Sequence, residues 1–371
     1  MKPFMPPSND FQIYLEQIWE SRQLTNSGPI HGVFERALCD YLGVKYISLL
    51  ANGTLALIIA LKVIDLKGEI ITTPFTSVAT AQSIYWNNLT PVFVDIGRSD
   101  FNIDISEIER AVTPKTSAIL PVHLFGNPCN VDAINQLAQK YNLKVIYDAA
   151  HCFGVELNRQ SILNYGDLSV VSFHATKVFN TFEGGAIICR DKITKTYIDN
   201  LINTGLDADR NLTGYGLNAK MNELQAGFGL VQLKYIDEVI ALRKAATSKY
   251  KELLKEIKGL RIVNESEFVK YNYTYFPIII NPVEFGTSRD EVVDFLEKRK
   301  IFPRKYFYPL VSDFPPFSIY KTNELPVAKE IAENIICLPL FHDISIDEIT
   351  YVVDAIRGAS SRQMHPIYKK E

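Results

Sequence analysis

The sequence predicts an α/β protein with a large domain, built on a mostly parallel mixed sheet flanked by helices, and a smaller C-terminal α+β domain. Two observations carry this expectation. Between Tyr46 and Cys189, short apolar runs of strand character alternate with helical segments, as in a parallel sheet covered on both faces. Beyond about residue 245 the alternation stops and a different mixture begins, while 371 residues with 47% apolar composition suffice for more than one core.

The strand-like runs in order are YISLLA (Tyr46 to Ala51), EIITT (Glu69 to Thr73), PVFVDI (Pro91 to Ile96), SAILPV (Ser117 to Val122), LKVIYD (Leu143 to Asp148), LSVVSF (Leu168 to Phe173) and AIIC (Ala186 to Cys189). LALIIALKVI (Leu55 to Ile64) reads as a helix directly after the first of them. VDAINQLAQKY puts Val131, Ile134, Leu137, Ala138 and Tyr141 on one helical stripe. The stretch from Asn222 to Ile257 reads as helix from one end to the other and is expected to join a large domain, 1–244, to a small one, 245–371. In the second region YTYFPIII (Tyr273 to Ile280) is strand-like and RDEVVDFLEKRK (Arg289 to Lys300) is an amphipathic helix. The proline- and aromatic-rich FPRKYFYPLVSDFPPF (Phe302 to Phe317) reads as packing at the domain interface, with lining of a substrate cleft as the alternative. The polar tail SSRQMHPIYKKE is expected to be mobile.

Composition narrows the function classes. A net charge of −3 offers no broad basic field, so neither nucleic acid nor an anionic membrane is an expected partner. Five scattered cysteines without a C-x-x-C pair suit a reduced, cytoplasmic protein. The start, MKPFMPPSND, lacks the apolar core of a signal peptide, and no run is long and apolar enough to span a bilayer. The six histidines form no H-E-x-x-H pattern, so no metal is expected, and no convincing G-x-G-x-x-G or G-x-x-x-x-G-K-[ST] loop occurs.

The chemistry concentrates in SFHATKVFNTFEGGA (Ser172 to Ala186), which places Lys177 after one strand and a glycine pair before the next. Asp148 likewise ends a strand, and in an open α/β sheet the strand ends line the ligand crevice. A carboxylate and an amine converging there suit pyridoxal 5'-phosphate, which needs a lysine for its aldehyde and an aspartate to keep its pyridine nitrogen protonated. Asn52-Gly53-Thr54, between strand and helix, offers backbone N–H groups, close approach at Gly53 and the Thr54 hydroxyl to a phosphate, with Ser172 as a further donor. Taken singly, Asp148 reads as a helix cap, Lys177 as a solvated charge and Gly53-Thr54 as a turn; their combination is what favours a cofactor site.

These residues, with PFTSVATA (Pro74 to Ala81), FVDI (Phe93 to Ile96), PVHLFG (Pro121 to Gly126), DAAH (Asp148 to His151) and GLNAKMNELQA (Gly216 to Ala226), resemble the DegT/DnrJ/EryC1/StrS sugar-nucleotide aminotransferases of pyridoxal-phosphate fold type I. The resemblance covers nearly the whole chain, and SFHATK followed by EGGA is similar to the branch that aminates C4 of a 4-keto-6-deoxyhexose. It implies transamination of dTDP-4-keto-6-deoxy-D-glucose by L-glutamate, yielding dTDP-4-amino-4,6-dideoxy-D-glucose and 2-oxoglutarate for a surface polysaccharide such as O-antigen. Alternatives are the galacto epimer, a C3 aminotransferase acting on a 3-keto sugar, and a non-catalytic cofactor-binding regulator.

Carried over by position, the resemblance makes Lys177 the Schiff-base lysine and proton carrier, and Asp148 the partner of the pyridine nitrogen. Gly53, Thr54 and Ser172 would hold the phosphate, and Phe75 would lie against the ring, unless it is ordinary core packing. Asn218 would reach the phosphate of the neighbouring subunit, implying a homodimer with shared active sites. His123 and His174 would border the sugar, His123 having a core histidine as its alternative. Two positions depart from the family pattern. His151 stands where glutamine is common, leaving open whether it donates to or accepts from the cofactor hydroxyl. Lys220 stands where arginine is common, so a substrate contact there would be a point charge rather than a fork.

Overall fold

The computed structural model describes residues 2–320 and 324–360, so the tail from residue 361 onward lies outside the described residues. Seven strands form one sheet: β1 (Tyr46–Leu50), β2 (Glu69–Thr72), β3 (Thr90–Phe93), β4 (Thr116–Leu120), β5 (Lys144–Asp148), β6 (Leu168–Ser172) and β7 (Gly185–Cys189). Their spatial order is β1-β7-β6-β5-β4-β2-β3. Pairing is parallel from β3 through β6, whereas β7 runs antiparallel to both β6 and β1, which makes the sheet mixed with one reversed strand.

The continuous apolar runs follow from burial on both faces. Successive strand residues point to opposite sides, and here each side is a core. Leu49, Ile71, Val145, Val171 and Ile188 enter one cluster, with Phe34 and Leu38 of the Pro29–Leu42 helix and Ile134 of the Val131–Tyr141 helix. Their neighbours Leu50, Ile70, Ile146, Val170 and Ile187 enter the other, covered by the Gly53–Val63 and Lys192–Ile202 helices.

The long helix spans Glu223–Leu254. Its Ala226, Leu230, Ile236 and Val239 belong to the first core, whereas Ala246, Tyr250 and Leu254 pack in a third, so the helix passes from one core to the other between Val239 and Ala246. That third core includes the antiparallel strands β8 (Leu260–Ile262), β9 (Phe276–Ile280) and β10 (Ile335–Leu338) and the helices Arg289–Glu297 and Ile346–Ala359. A fourth cluster joins the lobes, with Phe75, Phe93, Phe101 and Val122 meeting Ile279, Leu310, Val311 and Phe317. The strand expected from Tyr273 begins only at Phe276, because the carbonyls of Tyr273 and Thr274 accept from Arg243 instead of a neighbouring strand.

A side chain from elsewhere in the chain finishes the start of the Pro29–Leu42 helix. Glu223 is buried, and its carboxylate accepts from the N–H groups of Ile30 and His31 at 2.9 Å each, capping the Pro29–Leu42 helix from almost 200 residues away in sequence. Glu223→Ala is expected to lower the unfolding free energy by about 1–2 kcal/mol, since it removes a cap and leaves two buried donors unpaired. Denaturant unfolding measures it, and an unchanged midpoint would contradict the capping role.

Candidate active site

An open cleft of about 500 Å³ lies beyond the C-terminal ends of β1, β5 and β6, where the small lobe adds Tyr275, Tyr306 and Phe307. One end of the cleft is the start of the Gly53–Val63 helix. Asn52 caps it by accepting from Leu55 N at 2.8 Å, and the first intrahelical bond runs from Ala56 N to Asn52 O. The N–H groups of Gly53 and Thr54 precede that bond, which is where a helix presents donors to an anion. A Cβ at Gly53 would stand 2.9 Å from that of Ser172, and one at Gly185 would stand 2.7 Å from the Asn52 carbonyl. The two glycines therefore let the helix start, the end of β6 and the beginning of β7 close on one another.

At the floor, Asp148 is buried at the end of β5. Its Oδ2 accepts from Thr80 Oγ1 at 2.8 Å and its Oδ1 from Ala150 N at 3.1 Å. Burial raises the carboxyl pKa, against the opposing pull of those two bonds and of Lys177, so the anion lacks a full counter-charge. Lys177 lies in the loop between β6 and β7, which is closed by Phe173 N to Gly184 O at 2.8 Å and Thr181 N to Phe173 O at 2.9 Å. Burial lowers its amine to about 8, opposed by Asp148 and Cys152. The Tyr275 ring centroid is 5.9 Å from the amine.

His151 is buried, and its Nδ1 accepts from Phe125 N at 3.1 Å. Burial, with Lys177 adding to it, holds the imidazole neutral, so the proton resides on Nε2. With Nδ1 occupied by the Phe125 N–H, Nε2 is the nitrogen left to donate. His174 lines the same cleft, with Nδ1 2.8 Å from Thr176 Oγ1 and Nε2 3.6 Å from Glu183.

Two expectations are corrected. Phe75 does not face the cleft: it is fully buried in the inter-lobe cluster, edge-on to Phe101 and Phe307, and Thr76 and Ser77 line the cleft instead. Nor does His123, which is fully buried, stacked on Tyr147 at 4.4 Å, with Nδ1 accepting from Cys129 N at 2.9 Å and burial lowering it to about 3. Its neighbour Val122 faces the cleft, so alternation along the backbone turns His123 away. Asn218 and Lys220 do not line their own chain's cleft either; Lys220 Nζ donates to Asn218 Oδ1 and Asn203 Oδ1 at 2.9 Å, and Asn218 is exposed. Thr80, Tyr275, Tyr306 and Phe307 were not singled out from the sequence. The aromatic segment divides its work, Leu310, Val311 and Phe317 packing between the lobes while Tyr306 and Phe307 reach the cleft.

A lysine amine whose pKa burial lowers to about 8, a buried carboxylate short of counter-charge and N–H groups at a helix start match the aldehyde, pyridine nitrogen and phosphate of pyridoxal phosphate. The fold and cleft define a pyridoxal-phosphate-dependent transferase. The chain belongs to the DegT/DnrJ/EryC1/StrS aminotransferase family, whose profile matches residues 8–357. It is 49% identical over 357 residues to the dTDP-4-amino-4,6-dideoxy-D-glucose transaminase of Shigella dysenteriae, covering 96% of this chain and 97% of that one. It is 44% identical over 363 residues to the Escherichia coli enzyme of the same name, with the same coverages. Among solved structures, that of DesI in the presence of its TDP-sugar product superposes with a TM-score of 0.94 at 32% identity, covering 98% of this chain and 93% of that one. No helix among the described residues is long and apolar enough to cross a membrane.

Proposed function

We propose that the protein transfers the amino group of L-glutamate to C4 of dTDP-4-keto-6-deoxy-D-glucose, giving dTDP-4-amino-4,6-dideoxy-D-glucose and 2-oxoglutarate. Identity of 49% across 96% of the chain to a transaminase named for that product carries the choice of substrate, and the Lys177–Asp148 cleft supports the reaction type. When bound, the cofactor supplies an aldehyde that captures amines and a ring that accepts the electron pair released at the substrate carbon.

The chain's own residues do the rest. Lys177 would hold the cofactor's aldehyde, and its amine, with a pKa lowered to about 8, would take up and release the proton at the substrate carbon within ordinary pH. Asp148, oriented by Thr80 and Ala150, would keep a proton on the cofactor's ring nitrogen. Gly53, Thr54 and Ser172 would hold the phosphate, His151 would donate Nε2–H to the cofactor hydroxyl, and His174 would border the sugar. Asn218 serves the cleft of a neighbouring subunit, a role its exposure supports, and Lys220, bonded to it, meets the substrate. The protein works as a cytoplasmic homodimer and feeds a surface polysaccharide such as O-antigen. Residues 1–244 form its cofactor-binding domain and 245–371 the smaller domain.

The test is turnover of dTDP-4-keto-6-deoxy-D-glucose with L-glutamate and the cofactor, the product being identified by mass and by proton couplings at C4. A dTDP-4-amino-4,6-dideoxyhexose with gluco couplings is expected. Galacto couplings would correct the stereochemistry. No product, despite amination of the cofactor by glutamate, would overturn the substrate.

A further inference from the structure

We propose that Tyr275 is a positioning residue for Lys177: anchored by Arg243 of the long helix, its ring closes the small-lobe side of the cleft over the amine and keeps water from it. This rests on Lys177 being the cofactor lysine.

The anchor is unusual. Arg243 is buried, and a buried guanidinium ordinarily pairs with a carboxylate. Here its Nε donates to Tyr273 O at 2.8 Å and its Nη2 to Thr274 O at 2.7 Å. Those are the two carbonyls immediately before Tyr275, in a segment that leaves strand geometry, with Tyr273 at φ +51°. The guanidinium thus sets the backbone that delivers the ring.

The ring itself is held on several sides. It stands edge-on to His151 at 5.0 Å, to Phe125 at 5.5 Å and to Tyr306 at 5.6 Å, and its phenol meets the Thr176 side chain one residue before Lys177. Asp148, His151 and Cys152 face Lys177 from the segment after β5. Lys2, Arg243 and His342 share with it a small cavity on its other side. Of these groups, Asp148 and Cys152 favour the ammonium form, so the withdrawal of water is what lowers the amine pKa. An aromatic cap that comes from the other lobe, and from no element that carries Lys177, is a separable means of withdrawing it.

The test uses the full-chain enzyme with its cofactor converted to the aminated form by glutamate, in which Lys177 is free. The pH dependence of Lys177 acetylation by acetic anhydride is followed by mass spectrometry of the peptide that carries it. The wild type and Tyr275→Phe should share one inflection. Tyr275→Ala should move it upward by about one pH unit or more as water reaches the amine. Arg243→Met, which keeps the side-chain length but leaves both carbonyls without the guanidinium, should shift it in the same direction, and Arg243→Lys should restore part of the difference. An unmoved inflection in Tyr275→Ala, or in Arg243→Met if the alanine variant does not fold, overturns the proposal. Failure of the underlying assignment looks different: in the aldehyde-loaded wild type Lys177 would then be acetylated as fast as in the aminated form, instead of being protected.

Discussion

Lys177→Ala should reduce turnover by about four powers of ten or more, the upper end of what a positioned acid–base group contributes, because one amine serves as both anchor and proton carrier. The loss should appear in both half-reactions, with glutamate and with the sugar. The phosphate cradle at Gly53, Thr54 and Ser172 is untouched in this variant, so it should still bind the aminated cofactor, which spectroscopy and mass measurement of the native protein can follow. Borohydride reduction should fix cofactor to the Lys177 peptide in the wild type and to no peptide in the variant. Turnover within tenfold of wild type would remove Lys177 from its role.

Asp148→Asn should have the next largest effect, and of opposite sign on two quantities. Breaking a buried ion pair costs about 3–5 kcal/mol, and at about 1.4 kcal/mol per decade that is a loss of roughly two to three and a half powers of ten in kcat/KM. The amide still accepts from Thr80 but cannot hold a proton on the pyridine nitrogen. The cofactor-free protein should respond the other way. Burial raises the Asp148 pKa above its unfolded value of 3.8, so the carboxylate form is destabilising once pH rises through that window, and at neutral pH the full deficit is present. Asparagine removes the deficit, and the apo variant should melt higher than apo wild type at neutral pH, the difference vanishing in acid. A variant that loses activity and also melts lower without cofactor would show that Asp148 is held for structure alone.

The two residues at the centre of these predictions were legible in the sequence because strand ends are: a continuous apolar run that stops at a carboxylate, and another that stops before HATK, mark where a parallel sheet opens to ligand. Val131–Tyr141 was legible to the residue, its apolar stripe beginning behind an Asn cap and ending at Asn142 in the left-handed conformation. The last residue of a ladder was less so. Ala51, Thr73 and Phe173 continue the apolar runs but leave the ladders, since the chain turns there toward the cleft.

Where the sequence misled, the cause was direction rather than location. Phe75 and His123 are in segments that do border the cleft, yet Thr76 with Ser77 in one and Val122 in the other face it. Tyr275 sits in a run that reads as strand, and a guanidinium from the long helix draws that part of the backbone out of the ladder.

The sequence by itself thus determined the alternating α/β architecture, the strand-end placement of Asp148 and Lys177, the glycine-bearing helix start and the family, because all of these are local patterns of apolar periodicity and short motifs. Only the tertiary structure decided which side chains turn inward, that Thr80 orients Asp148, that Phe125 fixes the His151 proton on Nε2, and that the small lobe brings Tyr275 over Lys177. Each of those depends on contacts between segments far apart in the chain, whose register and burial no local pattern encodes.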